Sequence, residues 1–284
     1  MTHARVLHAG RPVGGIVQGD RIALETGDTV SASGARYLAP IVPRQIIATH
    51  LSYRSRCLEY KMSALPAYPS YFMKPLGSVS SQGAPVARPR GCRFLNYEGE
   101  IAAVIGRTCS NVAVERALDY VKGYTAANDF GVHDFRHADR GAMFRVKGQD
   151  GFCPLGPVLV DAADVNPAEL WLRTFVNGSI VQEAYTGDDM IFSMAYQIAD
   201  ISRLITLEEH DVLLTGTPAN SRPVEPGDRV AVEISGIGRL ENTIVELDRD
   251  LVAVGDQPRV TDQTLHVALA ISEDEARARS ARLQ

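Results

Sequence analysis

Asn96-Tyr97-Glu98-Gly99-Glu100-Ile101-Ala102-Ala103-Val104-Ile105 carries the strongest signal in the chain, because two carboxylates stand at the start of an uninterrupted apolar run. A short apolar run of this kind predicts a buried strand over residues 101–105. Successive side chains of a strand point to opposite faces, so Glu98 and Glu100 share one face. Two carboxylates about 4 Å apart repel by roughly 4 kcal/mol at an effective dielectric near 20, and a shared proton or a bound cation would remove that cost. Oxygen ligands suit a hard ion such as Mg²⁺, Ca²⁺ or Mn²⁺, and the alternative is an exposed strand edge with two solvated Glu.

Composition places the chain among ordinary globular proteins. It has 284 residues, of which 45% are hydrophobic and 22% charged, enough for one large domain and a smaller one. The net charge of -5 offers no cationic field for a phosphate backbone, so we expect no nucleic-acid partner. No segment approaches the ~20 apolar residues of a membrane span, and residues 1–7 lack the apolar core of a signal peptide, which predicts a cytoplasmic protein without membrane contact. The four cysteines lack C-x-x-C spacing and are interpreted as reduced thiols.

Gly and Pro separate many short apolar segments of the chain, which predicts a fold of class α+β, mainly β with α. Residues 1–43 are predicted to form a small N-terminal β module, and residues 44–284 the main domain. Helical periodicity is confined to residues 114–121, 191–204 and 273–283, the last as a peripheral C-terminal helix. The predicted strands of the main domain, besides 101–105, are 157–160, 172–176 with a hairpin turn at Asn177-Gly178, 211–214, 229–234 and 243–246.

Three further segments carry candidate functional residues. Asp129 closes Gly-Tyr-Thr-Ala-Ala-Asn-Asp at 123–129 and would add a third carboxylate to the pair, while Lys147 is predicted to lie in a Gly-rich loop that could approach an anionic substrate. His133-Asp134-Phe135-Arg136-His137 imitates a zinc-protease motif with two His at i and i+4. It has Asp in place of the Glu base and no apolar periodicity, so we interpret it as a polar loop beside the site, with a metalloprotease as a poor alternative.

Read in order, these motifs resemble the fumarylacetoacetate hydrolase family over residues 46–246, on the branch of 2-hydroxyhepta-2,4-diene-1,7-dioate isomerases and acylpyruvases. The resemblance rests on Tyr-Glu-Gly-Glu at 97–100, the segment ending at Asp129, Lys-Gly-Gln-Asp-Gly-Phe-Cys-Pro-Leu-Gly-Pro at 147–157, and Leu-Thr-Gly-Thr-Pro at 214–218. It implies a mixed, rolled β-sheet fold and a homodimer. The residue roles that the resemblance implies are Glu98, Glu100 and Asp129 as ligands of Mg²⁺ or Mn²⁺, Lys147 as a catalytic contact to substrate or oxyanion, and Thr217, Tyr53, Gln149 and His133 as substrate-binding residues.

One departure concerns the residues that activate water. Members of the family carry Asn-Tyr-x-x-His-x-x-Glu, whereas residues 52–59 here read Ser-Tyr-Arg-Ser-Arg-Cys-Leu-Glu. Arg56 stands where the His would be, and a guanidinium is too basic to serve as a general base. Arg56 is therefore predicted to clamp a second substrate carboxylate, and the base is predicted to be Glu59 through a bound water, or His50 or His133 if the fold brings either close. Phe72-Met73-Lys74-Pro75 also matches a family segment, as a pocket rim or equally well as a packed strand end.

The resemblance implies chemistry on a small 2-oxo acid. The first hypothesis is hydrolysis of a C–C bond in a 2,4-dioxo, acylpyruvate-like acid, with the metal ion as Lewis acid for an enolate. Decarboxylation, isomerisation or hydration of a 2-oxo (di)carboxylic acid, such as an oxaloacetate-like or 2-hydroxymuconate-type compound, is the alternative. A binding protein that keeps only a structural metal site is the non-enzymatic hypothesis, and Lys147 and Thr217 argue weakly against it.

Overall fold

The computed structural model describes residues 1–283. None of the helices in that range is long and apolar enough to cross a membrane. The strands β1–β18 are, in chain order, Thr2–His8, Arg11–Gln18, Arg21–Leu24, Thr29–Ser31, Ile46–His50, Ser70–Lys74, Val79–Ser81, Val86–Arg88, Leu95–Asn96, Gly99–Ile105, Val121–Asn128, Gly131–Val132, Cys153–Asp161, Trp171–Val176, Ser179–Tyr185, Val212–Leu214, Arg229–Ile234 and Gly238–Glu246. The helices α1–α8 are Arg54–Glu59, Val114–Ala117, Arg136–Asp139, Phe144–Lys147, Thr186–Asp189, Met194–Ser202, Asp262–Leu269 and Glu273–Ser280.

The larger of the two main sheets has eleven strands in the order β4-β3-β2-β1-β13-β11-β10-β16-β5-β6, with β7 paired to β13. Most neighbours in it are antiparallel, while β16 and β5 run parallel, so the sheet is mixed. The predicted N-terminal module forms one end of this sheet, because β1 pairs with β13. The first strands therefore continue the main sheet, and the division of the chain at residue 43 stays a prediction.

A second sheet of five strands, in the order β15-β14-β17-β18-β8, packs against the middle of the first. Strand β10 lies between β11 and β16 and is buried along its whole length. Burial on both faces explains why its sequence is continuously apolar rather than alternating. The mixed sheets with few helices confirm the predicted α+β class.

The predicted helices occur with shifted ends. Residues 114–121 form α2 and a 3₁₀ turn, Leu118–Tyr120, and Val121 already belongs to β11. Helix α6 is shorter than predicted because Ser193 caps it, accepting the backbone N–H of Tyr196 at 3.2 Å. Helix α8 starts at the predicted Glu273, after Ser272, whose hydroxyl accepts the N–H of Glu275, and it ends at Ser280.

The C-terminal segment folds back over the main domain instead of standing apart. Tyr60 donates a hydrogen bond to the carbonyl of Val267 at 3.1 Å, and Asn96 donates to the carbonyl of Ala268 at 2.9 Å. The hydroxyl of Thr264 donates to the backbone carbonyl of His133 at 3.2 Å. Helices α7 and α8 therefore form one wall of the region that contains the candidate site.

Candidate active site

The start of β10 fixes the direction of the two glutamates. The N–H of Gly99 donates to the side-chain carbonyl of Gln182 on β15 at 3.1 Å, and a Cβ at this position would overlap the hydroxyl of Thr174 on β14. The second sheet thus covers the face of β10 toward which a side chain at position 99 would point. Glu98 and Glu100 must point to the opposite face, as strand alternation predicts.

Asp129 reaches the same point from β11. The register of the antiparallel pair sets Gly99 opposite Asn128, and the N–H of Asp129 donates to the carbonyl of Glu98 at 2.8 Å. Carboxylate oxygens of Glu98, Glu100 and Asp129 all lie within 4.8 Å of one another. The structure therefore brings the three predicted ligands together as one acidic triad.

Two buried lysines contact this triad. Nζ of Lys147 lies 2.6 Å from Oε2 of Glu98 and 2.9 Å from Oδ2 of Asp129, at the end of α4 rather than in a loop. Burial alone would lower the pKa of Lys147, but the charges of Asp129 and Glu98 outweigh it and hold that pKa above its usual value. Lys74 forms an ion pair with Asp129 and donates to the carbonyl of Lys147 at 2.5 Å. Burial would raise the pKa of Asp129, but the two ammonium groups lower it.

Glu100 differs from the other two acids in its partners. It is 2% exposed and accepts the N–H of Gly216 at 2.7 Å, but within residues 1–283 no cationic side chain lies within 4.0 Å of it. Burial and the charges of Asp129 and Glu98 raise the pKa of Glu100 well above its usual value. A hard divalent cation would relieve this excess of negative charge, so the three carboxylates fit such an ion and would hold it.

Helix α1 presents Arg56 to the site. Its guanidinium lies 2.8 Å from Oε2 of Glu59 and 3.5 Å from Oε1 of Glu98, and 4.7 Å from the ring centre of Tyr60. Glu59 also contacts Arg222 at 2.6 Å and accepts the N–H of Asn220 at 3.1 Å. Arg56, predicted to bind a substrate carboxylate, and Glu59, predicted to activate water, are thus already paired with neighbouring groups.

The segment 133–137 is helical and largely buried, so its interpretation as a polar loop is wrong. A 3₁₀ turn over His133–Phe135 leads directly into α3. The carboxylate of Asp134 is satisfied by the N–H groups of Arg93 and Phe94, at 3.0 and 2.9 Å, which allows it to be buried. The segment does lie beside the triad, because His133 and Arg136 line the same cavity as Glu98.

His133 has properties that the sequence alone does not reveal. It is 1% exposed, and neither ring nitrogen has a hydrogen-bond partner among the residues described. Burial, followed by the charges of Arg136, Lys147 and Arg56, lowers the pKa of His133 well below its usual value. The imidazole is therefore neutral near pH 7 and free to accept or donate one proton or hydrogen bond.

Most of the predicted site residues face one cavity of about 730 Å³. Its lining includes seven of the predicted site residues, namely Glu98, Glu100, Asp129, Lys147, Arg56, Thr217 and His133. Three others lie outside it. Glu59 stands behind Arg56, Gln149 donates to the carbonyl of Arg145 at 2.8 Å, and Tyr53 is fully buried with a hydroxyl that has no partner within residues 1–283. Their predicted roles stay predictions.

The sequence predicted residues 72–75 at a pocket rim and 133–137 beside the site, but it assigned no role to Lys74 or Arg136 and did not indicate the C-terminal wall. Phe72 and Lys74 are two residues apart on β6 and are both buried, while Met73 between them is 51% exposed. This alternation is the signal that placed Lys74 inward, although a buried lysine is rare without a partner. His266, Val267, Ser272 and Glu273 line the cavity from a segment whose sequence gives no hint of the site.

Comparisons with known proteins show which family and which solved structures this chain is similar to. Residues 45–245 match the family described as fumarylacetoacetate (FAA) hydrolase, C-terminal. A 4-hydroxyphenylacetate degradation bifunctional isomerase/decarboxylase from Salmonella dublin is 38% identical over 201 residues, which cover 70% of this chain and 46% of that protein. The 5-carboxymethyl-2-hydroxymuconate delta-isomerase from Mycobacterium smegmatis has a TM-score of 0.80 at 32% identity, covering 88% of this chain and all of that one.

A further solved structure similar to this chain was determined with ligands. Maleylpyruvate hydrolase from Sphingobium sp. SYK-6, in complex with manganese(II) and pyruvate, has a TM-score of 0.74 at 29% identity, covering 87% of this chain and 99% of that one. The similar proteins thus include both isomerases and a hydrolase.

Proposed function

Because this chain belongs to the fumarylacetoacetate hydrolase family, we propose that it is a divalent-metal-dependent enzyme that isomerises an unsaturated 2-oxo acid through its enol. The observation that carries the proposal is the acidic triad with an unpaired Glu100, in one cavity with the neutral, unpartnered His133. We propose Mg²⁺ or Mn²⁺ as the ion. When bound, the ion supplies Lewis acidity that polarises the 2-oxo group.

The charge of each side chain near the triad indicates its role in the reaction. Lys147 brings a permanent positive charge within 3 Å of the triad, which favours negative charge developing on a substrate oxygen nearby. Isomerisation moves one proton: the 2-hydroxyl of a 2,4-diene loses its proton and C5 gains one, so that the product is a 2-oxo-3-ene of the same composition. His133 is the group we assign to this transfer, because its ring nitrogens are free.

Other candidates for the proton transfer are engaged. His50 also lines the cavity, but its Nδ1 lies 3.1 Å from the hydroxyl of Ser70, and its ring packs 4.5 Å from that of Phe72. Glu59 is held by Arg56 and Arg222, and removing a carboxylate from two guanidinium groups would be costly. These contacts favour isomerisation, which needs no activated water, over the hydrolysis that the sequence predicts first.

Hydrolysis of a 2,4-dioxo acid is the second candidate. It is favoured by the volume of the cavity, about 730 Å³, which leaves room for a water beside a small substrate, and by the likeness to a maleylpyruvate hydrolase. In that reaction His133 would take a proton from the water, and the C–C bond would break to give a carboxylic acid and an enol that becomes pyruvate.

Proton exchange in D₂O tests the proposal without knowledge of the physiological substrate. Enolisation of 2-oxobutyrate should replace its C3 hydrogens by deuterium, followed by NMR, only when Mg²⁺ or Mn²⁺ is present. His133→Asn should slow the exchange by about 100-fold while oxalate still binds with the metal. Exchange that persists after chelation would refute the proposal. An acylpyruvate and a 2-hydroxy-2,4-dienoic acid, assayed in parallel, separate the reactions, because only hydrolysis releases pyruvate.

A further inference from the structure

His266 is a histidine of the cavity wall to which the sequence assigned no role. It stands on α7, lines the cavity that contains the acidic triad, and lies outside residues 45–245, which match the family. Its Nδ1 lies 2.6 Å from the backbone carbonyl oxygen of Ile271. A carbonyl oxygen only accepts hydrogen bonds, so Nδ1 carries the proton of this bond.

The hydrogen bond to Ile271 fixes both the tautomer and the orientation of the His266 ring. With the proton on Nδ1, Nε2 of the neutral ring keeps a free lone pair, and it has no hydrogen-bond partner within residues 1–283. Histidines that exchange protons with a ligand are often oriented in this way, by a carbonyl that holds the other ring nitrogen. Nε2 of His266 is therefore an oriented proton acceptor and, once protonated, an oriented donor.

A series of side-chain contacts joins His266 to the acidic triad. The ring centre of His266 lies 5.6 Å from that of Tyr60, and the guanidinium of Arg56 lies 4.7 Å from the same Tyr60 ring centre. Arg56 in turn lies 3.5 Å from Oε1 of Glu98. The hydroxyl of Tyr60 donates to the carbonyl of Val267, which holds this part of α7 in place. His266 therefore shares the cavity with the triad without joining the three carboxylates that would hold the ion.

His133 and His266 offer different protonation states to one cavity. Burial and neighbouring positive charges hold the pKa of His133 well below its usual value, and this ring is 1% exposed and neutral near pH 7. His266 is partly exposed, so water can supply it with a proton. One ring is thus suited to removing a proton from the substrate, and the other to delivering one.

We propose that His266 is a second catalytic acid–base residue, whose Nε2 delivers the proton to C5 of the dienol while His133 takes the proton of the 2-hydroxyl. The inference rests on the proposed function. The electron pair of the O–H bond forms the C2=O bond, the C2=C3 pair moves to C3=C4, and the C4=C5 pair takes the proton from Nε2. Two rings serve this reaction because the hydroxyl and C5 are the two ends of the conjugated system, and one nitrogen cannot hydrogen-bond to both. Water then returns a proton to His266 and removes one from His133.

Two deuterium-incorporation reactions separate His266 from His133. With Mg²⁺-loaded protein in D₂O, NMR follows deuterium entering C5 of 2-hydroxypenta-2,4-dienoate and C3 of 2-oxobutyrate, each above its uncatalysed rate. His266→Asn should slow the first by about 100-fold and the second by no more than about threefold, whereas His133→Asn should slow both. Asparagine can still donate to the carbonyl of Ile271, so a purely structural role would leave deuterium entry at C5 intact. His8→Asn is the matched control and should change neither rate, because His8 pairs with Asp28 and does not line the cavity.

A second variant and the pattern of outcomes separate this inference from the proposed function. His266→Ala leaves space for a free imidazole, and added imidazole should restore part of the deuterium entry at C5. A His266→Asn variant that deuterates C5 at the wild-type rate, or that loses both reactions to the same extent, overturns the role of His266 and leaves the proposed function standing. If the wild type with Mg²⁺ accelerates neither reaction, the proposed function fails together with the inference.

Discussion

Glu100→Gln and Asp129→Asn should change the stability of the metal-free protein differently, although each removes one negative charge from the same triad. Asp129 contacts two buried ammonium groups, whereas Glu100 has the N–H of Gly216 as its polar partner and no cation within 4.0 Å in the described chain. Glutamine keeps an acceptor for that N–H. The substitution at Glu100 therefore removes repulsion, and the substitution at Asp129 removes attraction.

The distances give the size of each effect. The carboxylates lie within 4.8 Å of one another, and at that limit two of them repel by about 3.5 kcal/mol at an effective dielectric of 20. Glu100→Gln should therefore raise the free energy of unfolding by about 0 to 3 kcal/mol, the lower value applying if Glu100 is protonated. Asp129→Asn leaves Lys74 and Lys147 short of a counter-ion and should lower it by about 3 to 5 kcal/mol. At roughly 2 °C per kcal/mol for a chain of this size, the two melting temperatures should differ by more than about 6 °C.

Added Mn²⁺ should stabilise the wild type more than a variant that binds the ion more weakly. With Mn²⁺ at about 100 times Kd, the wild type gains roughly 2.7 kcal/mol, or about 5 °C, while a variant whose Kd is about 100-fold weaker gains only about 0.4 kcal/mol. Thermal unfolding after EDTA treatment and dialysis, with and without Mn²⁺, measures both effects. The reasoning is refuted if Glu100→Gln is as destabilising as Asp129→Asn without metal, or if it keeps the full Mn²⁺ shift.

Two further substitutions test buried polar groups near the cavity. Burial holds the pKa of His133 well below 6.5, so the unfolded chain takes up a proton at low pH that the folded chain does not. The free energy of unfolding should therefore decrease as the pH is lowered below about 6.5. His133→Asn should lessen that slope by up to ~1.4 kcal/mol per pH unit in urea titrations at pH 5.5, 6.5 and 7.5. Gln182→Met removes the hydrogen bond that the side chain donates to Thr217 and the one that it accepts from Gly99, and it should lower the free energy of unfolding by about 2 to 4 kcal/mol in the same titration. Gln149→Met, which removes one hydrogen bond to a carbonyl, should change it by less than about 0.5 kcal/mol. Equal losses would contradict the bridging role of Gln182.

Strands and the acidic triad could be predicted from the sequence because both follow from local rules. The buried run of β10 is continuous in sequence, and alternation places Glu98 and Glu100 on one face. Asp129 follows a segment of similar apolar character, and pairing of the two strands brings it to the start of β10. Each step needs only the period of a strand and one antiparallel pairing.

Helix ends and the segment 133–137 could not be predicted in the same way. Whether His133 and Asp134 are buried depends on contacts with Phe94 and Thr264, which are remote in sequence. The apolar periodicity that marks a buried helix is absent, since the segment is stabilised by hydrogen bonds to its polar groups rather than by an apolar stripe. The zinc-protease likeness of this segment was correctly set aside, but its burial was missed for this reason.

The charge balance of the cavity links the site to the substrate it would accept. The triad faces three cationic side chains, Lys74, Lys147 and Arg56, which come from β6, α4 and α1 and contact Glu98 and Asp129 but not Glu100. Their charges offset one another, so a divalent ion at the triad would leave the cavity positive, and the unpaired Arg136 adds to that excess. A negatively charged 2-oxo acid would neutralise part of that excess. The cations, which the sequence does not bring together, therefore favour an anionic substrate, and the carboxylates favour the divalent ion that would hold its 2-oxo acid group.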